Sequence, residues 1–104
     1  MTPEHIFALA DWYEQWLIGA GIPKKRIDTR KSFGELARLE ILAHAHYLCD
    51  GIKAYTKNPE QWGKANRHLT AVQMCLSFAK WYTLDELMMH NKNLPPGTLV
   101  DKKA

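Results

Sequence analysis

Between Trp62 and Ala79 the apolar residues Trp62, Ala65, Leu69, Val72, Leu76 and Ala79 recur at intervals of three and four. That spacing returns side chains to one face of an α-helix, whereas a strand alternates faces at every second residue. Met74, Cys75 and Phe78 flank the stripe. The segment also begins as a helix should. Asn58 can cap, Pro59 suits the first helical position, and Gln61 stands three beyond the cap. A helix with such a stripe must bury it against something, and the remaining sequence offers only more helices.

Thr2, Pro3 and Glu4 form a helix start, with a capping hydroxyl, a fixed φ and a negative charge at the positive end of the dipole. Ile6, Leu9, Ala10, Tyr13, Trp16 and Leu17 then share a face, and Gly19 and Gly21 supply the stop, so a helix is predicted over about 3–19. Ser32 with Glu35 has the spacing of a capping box and predicts that the second helix opens there. Its main stripe is Ala37, Ile41, Leu48, Ile52 and Tyr55, and Leu39, Leu42 and Cys49 make another. Two stripes place this helix centrally, and Lys57-Asn58-Pro59 ends it. Thr83 with Glu86 opens a short fourth helix running to about Asn91. Asn93-Leu94-Pro95-Pro96-Gly97 cannot continue it. No run alternates as a strand would. The expected fold is therefore all-α, a compact bundle of three long helices plus one short C-terminal helix over residues 1–92, with an extended or disordered tail over 93–104. A length of 104 residues suits one core, and 46% hydrophobic content is enough to fill it.

Cys49 and Cys75 lie inside helical patterns without a CxxC spacing and are expected as buried free thiols. A disulfide between two helices is the geometric alternative. The N-terminus lacks a basic region followed by an apolar run, and no segment is long and apolar enough to span a bilayer, so a cytoplasmic protein without membrane partners is expected.

The segment between the first two helices holds the strongest local charge: Lys24, Lys25, Arg26, Arg30 and Lys31 against Asp28 alone. Such a loop can hold phosphates or an acidic protein surface, with Arg26 and Arg30 suited to bidentate contacts, or it can simply be a solvated connection. A net charge of +3 is modest for a dedicated nucleic-acid binder.

Glu40 and His44 stand four apart and share a helix face, the spacing of a metal-ligand or acid–base pair. His46 lies about 200° from His44 around the axis, so the two histidines cannot grip one ion. No spacing fixes a third ligand, and neither a metal nor another cofactor is expected. Glu35, Glu40, Asp50 and Glu60 do not make the ExxE and ExxD pairs of helical nucleotide pyrophosphatases, and there is no nucleophile motif or phosphate-cradling glycine loop. No catalytic residue is assigned. Gln73, in the gap of its helix's stripe, is expected to bond across to the second helix and set its register, with Arg67 on a neighbouring face. Trp12 and Trp62 belong to the core or cover a partner-facing surface. The apolar stripes exceed what one copy buries easily, which points to a homodimer through the second or third helix.

Lys64-Ala65-Asn66-Arg67-His68-Leu69-Thr70-Ala71-Val72-Gln73-Met74-Cys75-Leu76, followed by Tyr82-Thr83-Leu84-Asp85-Glu86-Leu87 and His90-Asn91, resembles a group of small proteins encoded by tailed bacteriophages and prophages. That group carries an R-W-L-G-F-x-Q-G-x-L pattern, then T-x-D-E-L. Arg67, Leu69, Gln73, Leu76, Thr83, Asp85, Glu86 and Leu87 match it, while His68 replaces a Trp and Thr70 and Met74 replace glycines. The resemblance implies phage origin and an accessory role, and supplies no mechanism. The expected function is non-catalytic binding of a host or phage protein, as host-takeover or anti-defence inhibitors do, in the host cell cytoplasm. Binding of nucleic acid or small nucleotides through the basic loop is the second choice.

Overall fold

The computed structural model describes residues 1–98, and these are all helix and connection, without a strand. Helix α1 spans Pro3–Gly19, α2 Arg38–Tyr55, α3 Trp62–Phe78 and α4 Leu84–Lys92. Single 3₁₀ turns stand at Phe33–Glu35 and Pro59–Gln61.

At the start of α1 the Thr2 hydroxyl accepts from the His5 N–H. At its end Gly21 takes φ +75°. The Gly21 N–H then reaches the Ile18 carbonyl and the Ile22 N–H reaches that of Leu17, the paired bonds of a Schellman stop. The α4 cap is also as expected, with the Thr83 hydroxyl accepting from the Glu86 N–H and the Glu86 carboxylate from the Thr83 N–H.

The second helix begins later than its capping box suggests. Glu35 accepts from both the N–H and the hydroxyl of Ser32, which closes a single 3₁₀ turn. Leu36 and Ala37 then go extended, Leu36 packs against the core, and Glu40 accepts from the Ala37 N–H to start α2 anew. Only the Glu35 half of the box forms at Ser32, the Glu35 N–H going to the Ser32 carbonyl instead of its hydroxyl, and the core position of Leu36 interrupts the helix the box would have opened. Similarly, Asn58 caps the 3₁₀ turn at Pro59 by accepting from the Glu60 N–H, and α3 proper starts at Trp62.

The core runs between α1, α2 and α3, with Leu9, Tyr13, Leu17, Leu42, Cys49, Ile52, Leu69, Val72 and Leu76 fully enclosed and Leu87 added from α4. Each buried Leu or Ile contributes about 1.5–3 kcal/mol relative to exposure. α2 packs on both α1 and α3, the central place its two stripes imply. Two residues of those stripes are exceptions: Leu39 is largely exposed, and Ala37 is exposed and stands before α2 as its N-cap. Both cysteines are free and buried. Of the expected tail, Leu94 packs on the core, Pro95 is buried, and a turn closes from the Thr98 N–H to the Pro95 carbonyl, so the packed body runs beyond residue 92. Residues 99–104 of that tail lie outside the described residues.

Candidate functional site

Adjacent residues of α1 open two internal polar clusters of different chemistry. Tyr13 is buried, so its hydroxyl needs partners. The Gln73 amide donates to it at 3.2 Å, and the hydroxyl points at His90 Nδ1 at 2.8 Å. That order makes Nδ1 an acceptor and leaves the imidazole neutral. Burial holds His90 below the ordinary imidazole range, against a smaller opposing influence of Glu86. Gln73 and Asn91 exchange amide bonds at 2.7 and 3.3 Å. Trp12 and Tyr82 pack their rings on His90. Gln73 thus joins α3 to α1 and α4, and not to α2 as its place in the stripe suggested. Burial also raises the Tyr13 hydroxyl far above its usual pKa, so it stays protonated.

Glu14, one residue on, has a side chain 9% exposed and is ion-paired to Lys24 at 2.8 Å and Lys53 at 2.5 Å. Lys53 also meets Asp11, and Lys24 meets Asp50. Burial pushes the Glu14 carboxyl up, but the two ammonium groups outweigh it and hold the group below the usual carboxylate range. The thiols are inert, with burial pushing Cys49 up to about 12 and Cys75 to about 11.

The basic loop is held against α2 by the Lys25 N–H on the Ala43 carbonyl and the Ile27 N–H on His44 Nδ1. Lys24 is drawn into the Glu14 cluster, and Arg30 pairs with Asp28. Lys25, Arg26 and Lys31 line a cleft of about 340 Å³, together with the carboxylate residues Asp28 and Glu40. The loop's five cations therefore do not act as one patch.

Glu40 and His44 share α2 but serve different partners, Glu40 as the helix cap and His44 as acceptor for the loop. Burial, then the charges of Arg26 and His68, keep His44 below the ordinary range. Among the described residues no three His, Cys, Asp or Glu side chains gather into a metal-holding group. His46 is buried, with Nδ1 donating to the Ile22 carbonyl. Arg67 is exposed on α3, apart from the buried Gln73. Trp12 lies half-buried in the ring cluster, and Trp62 is exposed with its indole N–H on the Thr56 carbonyl.

A different surface carries exposed apolar groups brought together. The 3₁₀ turn sets Phe33 facing outward, and α3 ends on Phe78. Their rings stack with centroids 5.9 Å apart, although Phe33 is 38% and Phe78 61% exposed. Met74, one helical turn before Phe78, is 44% exposed. The pair borders a cleft of about 350 Å³ that also includes Gly34, Leu36, Ile41 and Ala79, with Arg38 and Lys80 as its charged residues. Arg38 donates from Nε to the Ala79 carbonyl at 2.6 Å and lies over the Trp81 ring.

Sequence reasoning missed this surface. Phe33 sat inside a capping box and Phe78 on the flank of a core stripe. The available signal was that Phe33 belongs to no helical stripe at all. Comparison with known protein families, with curated proteins and with solved structures finds no match.

Proposed function

We propose that this chain is a non-catalytic protein-binding domain, in which a compact bundle of three long helices and one short one presents the Phe33–Phe78 surface to a host or phage protein in the host cytoplasm. The observation that carries this reading is the stacked, exposed phenylalanine pair. With 38% of Phe33 and 61% of Phe78 left in water at a cleft's edge, a partner that covers the pair recovers roughly half of the ~1.5–3 kcal/mol that full burial of each side chain is worth. The non-catalytic reading draws support from two clusters that use their polar groups internally, although the buried His46 Nε2 has no hydrogen-bond partner among the described residues. Tyr13, Gln73, His90 and Asn91 satisfy one another, and Glu14 and Lys53 are ion-paired within their own cluster.

The second reading, nucleic acid or nucleotides at Lys25, Arg26 and Lys31, draws support from the cleft those three line. It is weakened by Asp28 and Glu40 in the same cleft. A homodimer is the third, through the α3 face that carries Met74 and Phe78.

The test is affinity purification of the full chain and its Phe78→Ser variant from expressing cells, with sedimentation of both at rising concentration. A protein retained by the unmodified chain and lost by the variant is the expected result. Identical partner profiles would sink the reading, and Phe78-dependent self-association would transfer it to the homodimer.

A further inference from the structure

We propose that the Phe33–Phe78 cleft receives an acidic protein segment, which lays an apolar side chain against the two rings and places a carboxylate on Lys80. This rests on the protein-binding reading above and adds the chemistry of the partner.

The argument starts from the backbone of Lys80. It follows α3 at φ +62°, the left-handed region, and is the only described non-glycine residue with positive φ. The Lys80 N–H bonds the Ser77 carbonyl and the Trp81 N–H bonds that of Leu76, which is again a Schellman stop. Glycine is the residue that fits this position without strain, because a Cβ there crowds the following carbonyl. A lysine at this place keeps that modest strain and adds an exposed cation at the cleft's rim.

The surroundings indicate what that cation can meet. Lys80 is exposed and makes no ion pair among the described residues. The nearby Glu86 shares a second cleft with it, accepts from the Thr83 N–H through Oε1 and makes no ion pair with Lys80. The other charged residue of the phenylalanine cleft is also a cation, Arg38, and no carboxylate residue lines it. The other clefts differ. The one at Lys25 mixes cations with Asp28 and Glu40, and the one at Trp12 and Trp16 holds Asp11 and no cation. Apolar rings with an exclusively cationic rim complement an apolar side chain flanked by Asp or Glu. Single-stranded nucleic acid, which also stacks on aromatic rings beside cations, is disfavoured because Phe33 and Phe78 stack on each other and the rim offers only two cations.

The experiment selects displayed random short peptides on the immobilised full chain, with counter-selection on the Phe78→Ser variant, and measures affinities of the enriched peptides by fluorescence anisotropy. Circular dichroism confirms that each variant is folded. The expected consensus is an apolar residue flanked by Asp or Glu. Its affinity should fall about tenfold or more in Phe78→Ser. In Lys80→Gly it should fall about threefold to fivefold, the size of an exposed ion pair. Lys80→Arg should retain binding, and neutralising the peptide's acidic residues should matter less in Lys80→Gly than in the unmodified chain. A neutral or basic consensus that still needs Phe78 overturns the acidic partner while leaving the protein-binding reading intact. No Phe78-dependent enrichment overturns both. Submicromolar binding of an oligothymidylate at physiological salt, lost in Phe78→Ser, replaces the acidic segment with nucleic acid.

Discussion

The C-terminal ends of α1 and α3 stop by the same hydrogen bonds, yet one is closed and the other open. At the α1 end the left-handed residue is Gly21; Trp16 and Ile18 of the last turn are about half exposed, but the loop that follows is tied back to the body. The Ile22 carbonyl accepts from buried His46, and Lys24 reaches back to Glu14 and across to Asp50. At the α3 end the left-handed residue is Lys80, and the groups beside it, Phe78, Phe33 and the Lys80 ammonium, stay in solvent. Identical backbone geometry therefore does not fix what a helix end is for. The first end secures a loop with an unstrained residue and internal ion pairs. The second places a non-glycine left-handed residue beside an exposed phenylalanine pair stacked across two elements.

The largest expected effect lies at the closed end. Glu14→Ala leaves Lys24 and Lys53 without their shared carboxylate and should cost roughly 2–4 kcal/mol at neutral pH in urea denaturation. Because the folded Glu14 pKa lies below its ordinary value of 4.5, its contribution is full above that pH and is lost as pH falls through the folded value. The gap between the variant and the unmodified chain should therefore close in acid. A gap that persists undiminished there would show that packing, not charge, seals this end.

Exchanging the helix-stop residues tests the comparison itself. Gly21→Lys should cost about 1–2 kcal/mol. A Cβ at Gly21 meets nothing within 4 Å, so the cost is purely conformational. Lys80→Gly should raise stability by about 0.5–1 kcal/mol, the relief of strain being partly offset by the greater freedom of glycine in the unfolded chain. If thermal melting shows no gain, Lys80 is not strained and the contrast between the two ends collapses. The smallest effect is reserved for the basic loop. Arg26→Glu with Arg30→Glu should keep the fold and change stability by no more than about 0.5 kcal/mol, because both arginines are exposed and, among the described residues, Arg30 pairs with Asp28 alone. A large loss would mean that the loop's outer cations help seal the α1 end alongside Lys24.

The sequence by itself determined what depends on neighbours within a turn or two. The stop of α1 at Gly19–Gly21, the cap at Thr83 and Glu86 and the stripe from Ala65 to Ala79 follow from bonds and faces repeating over three or four positions. Buried free thiols were legible for the same reason, since Cys49 and Cys75 sit in helical stripes. What the tertiary structure decided are contacts between residues far apart in the chain. Whether Ser32 opened a long helix depended on where Leu36 was needed in the core, and Gln73 found Tyr13 and Asn91 instead of α2 because helix rotation, not stripe position, sets its neighbours. Lys24 could be read as a cation but not as one consumed by Glu14, ten residues earlier on another element. Phe33 and Phe78 looked like a loop residue and a core flank until packing set their rings side by side, and Lys80 acquired its left-handed backbone from the stop that the packing of Trp81 demands. Local patterns fix helices because their partners are a few bonds away. A surface is fixed only when packing decides which distant side chains meet and which stay in water.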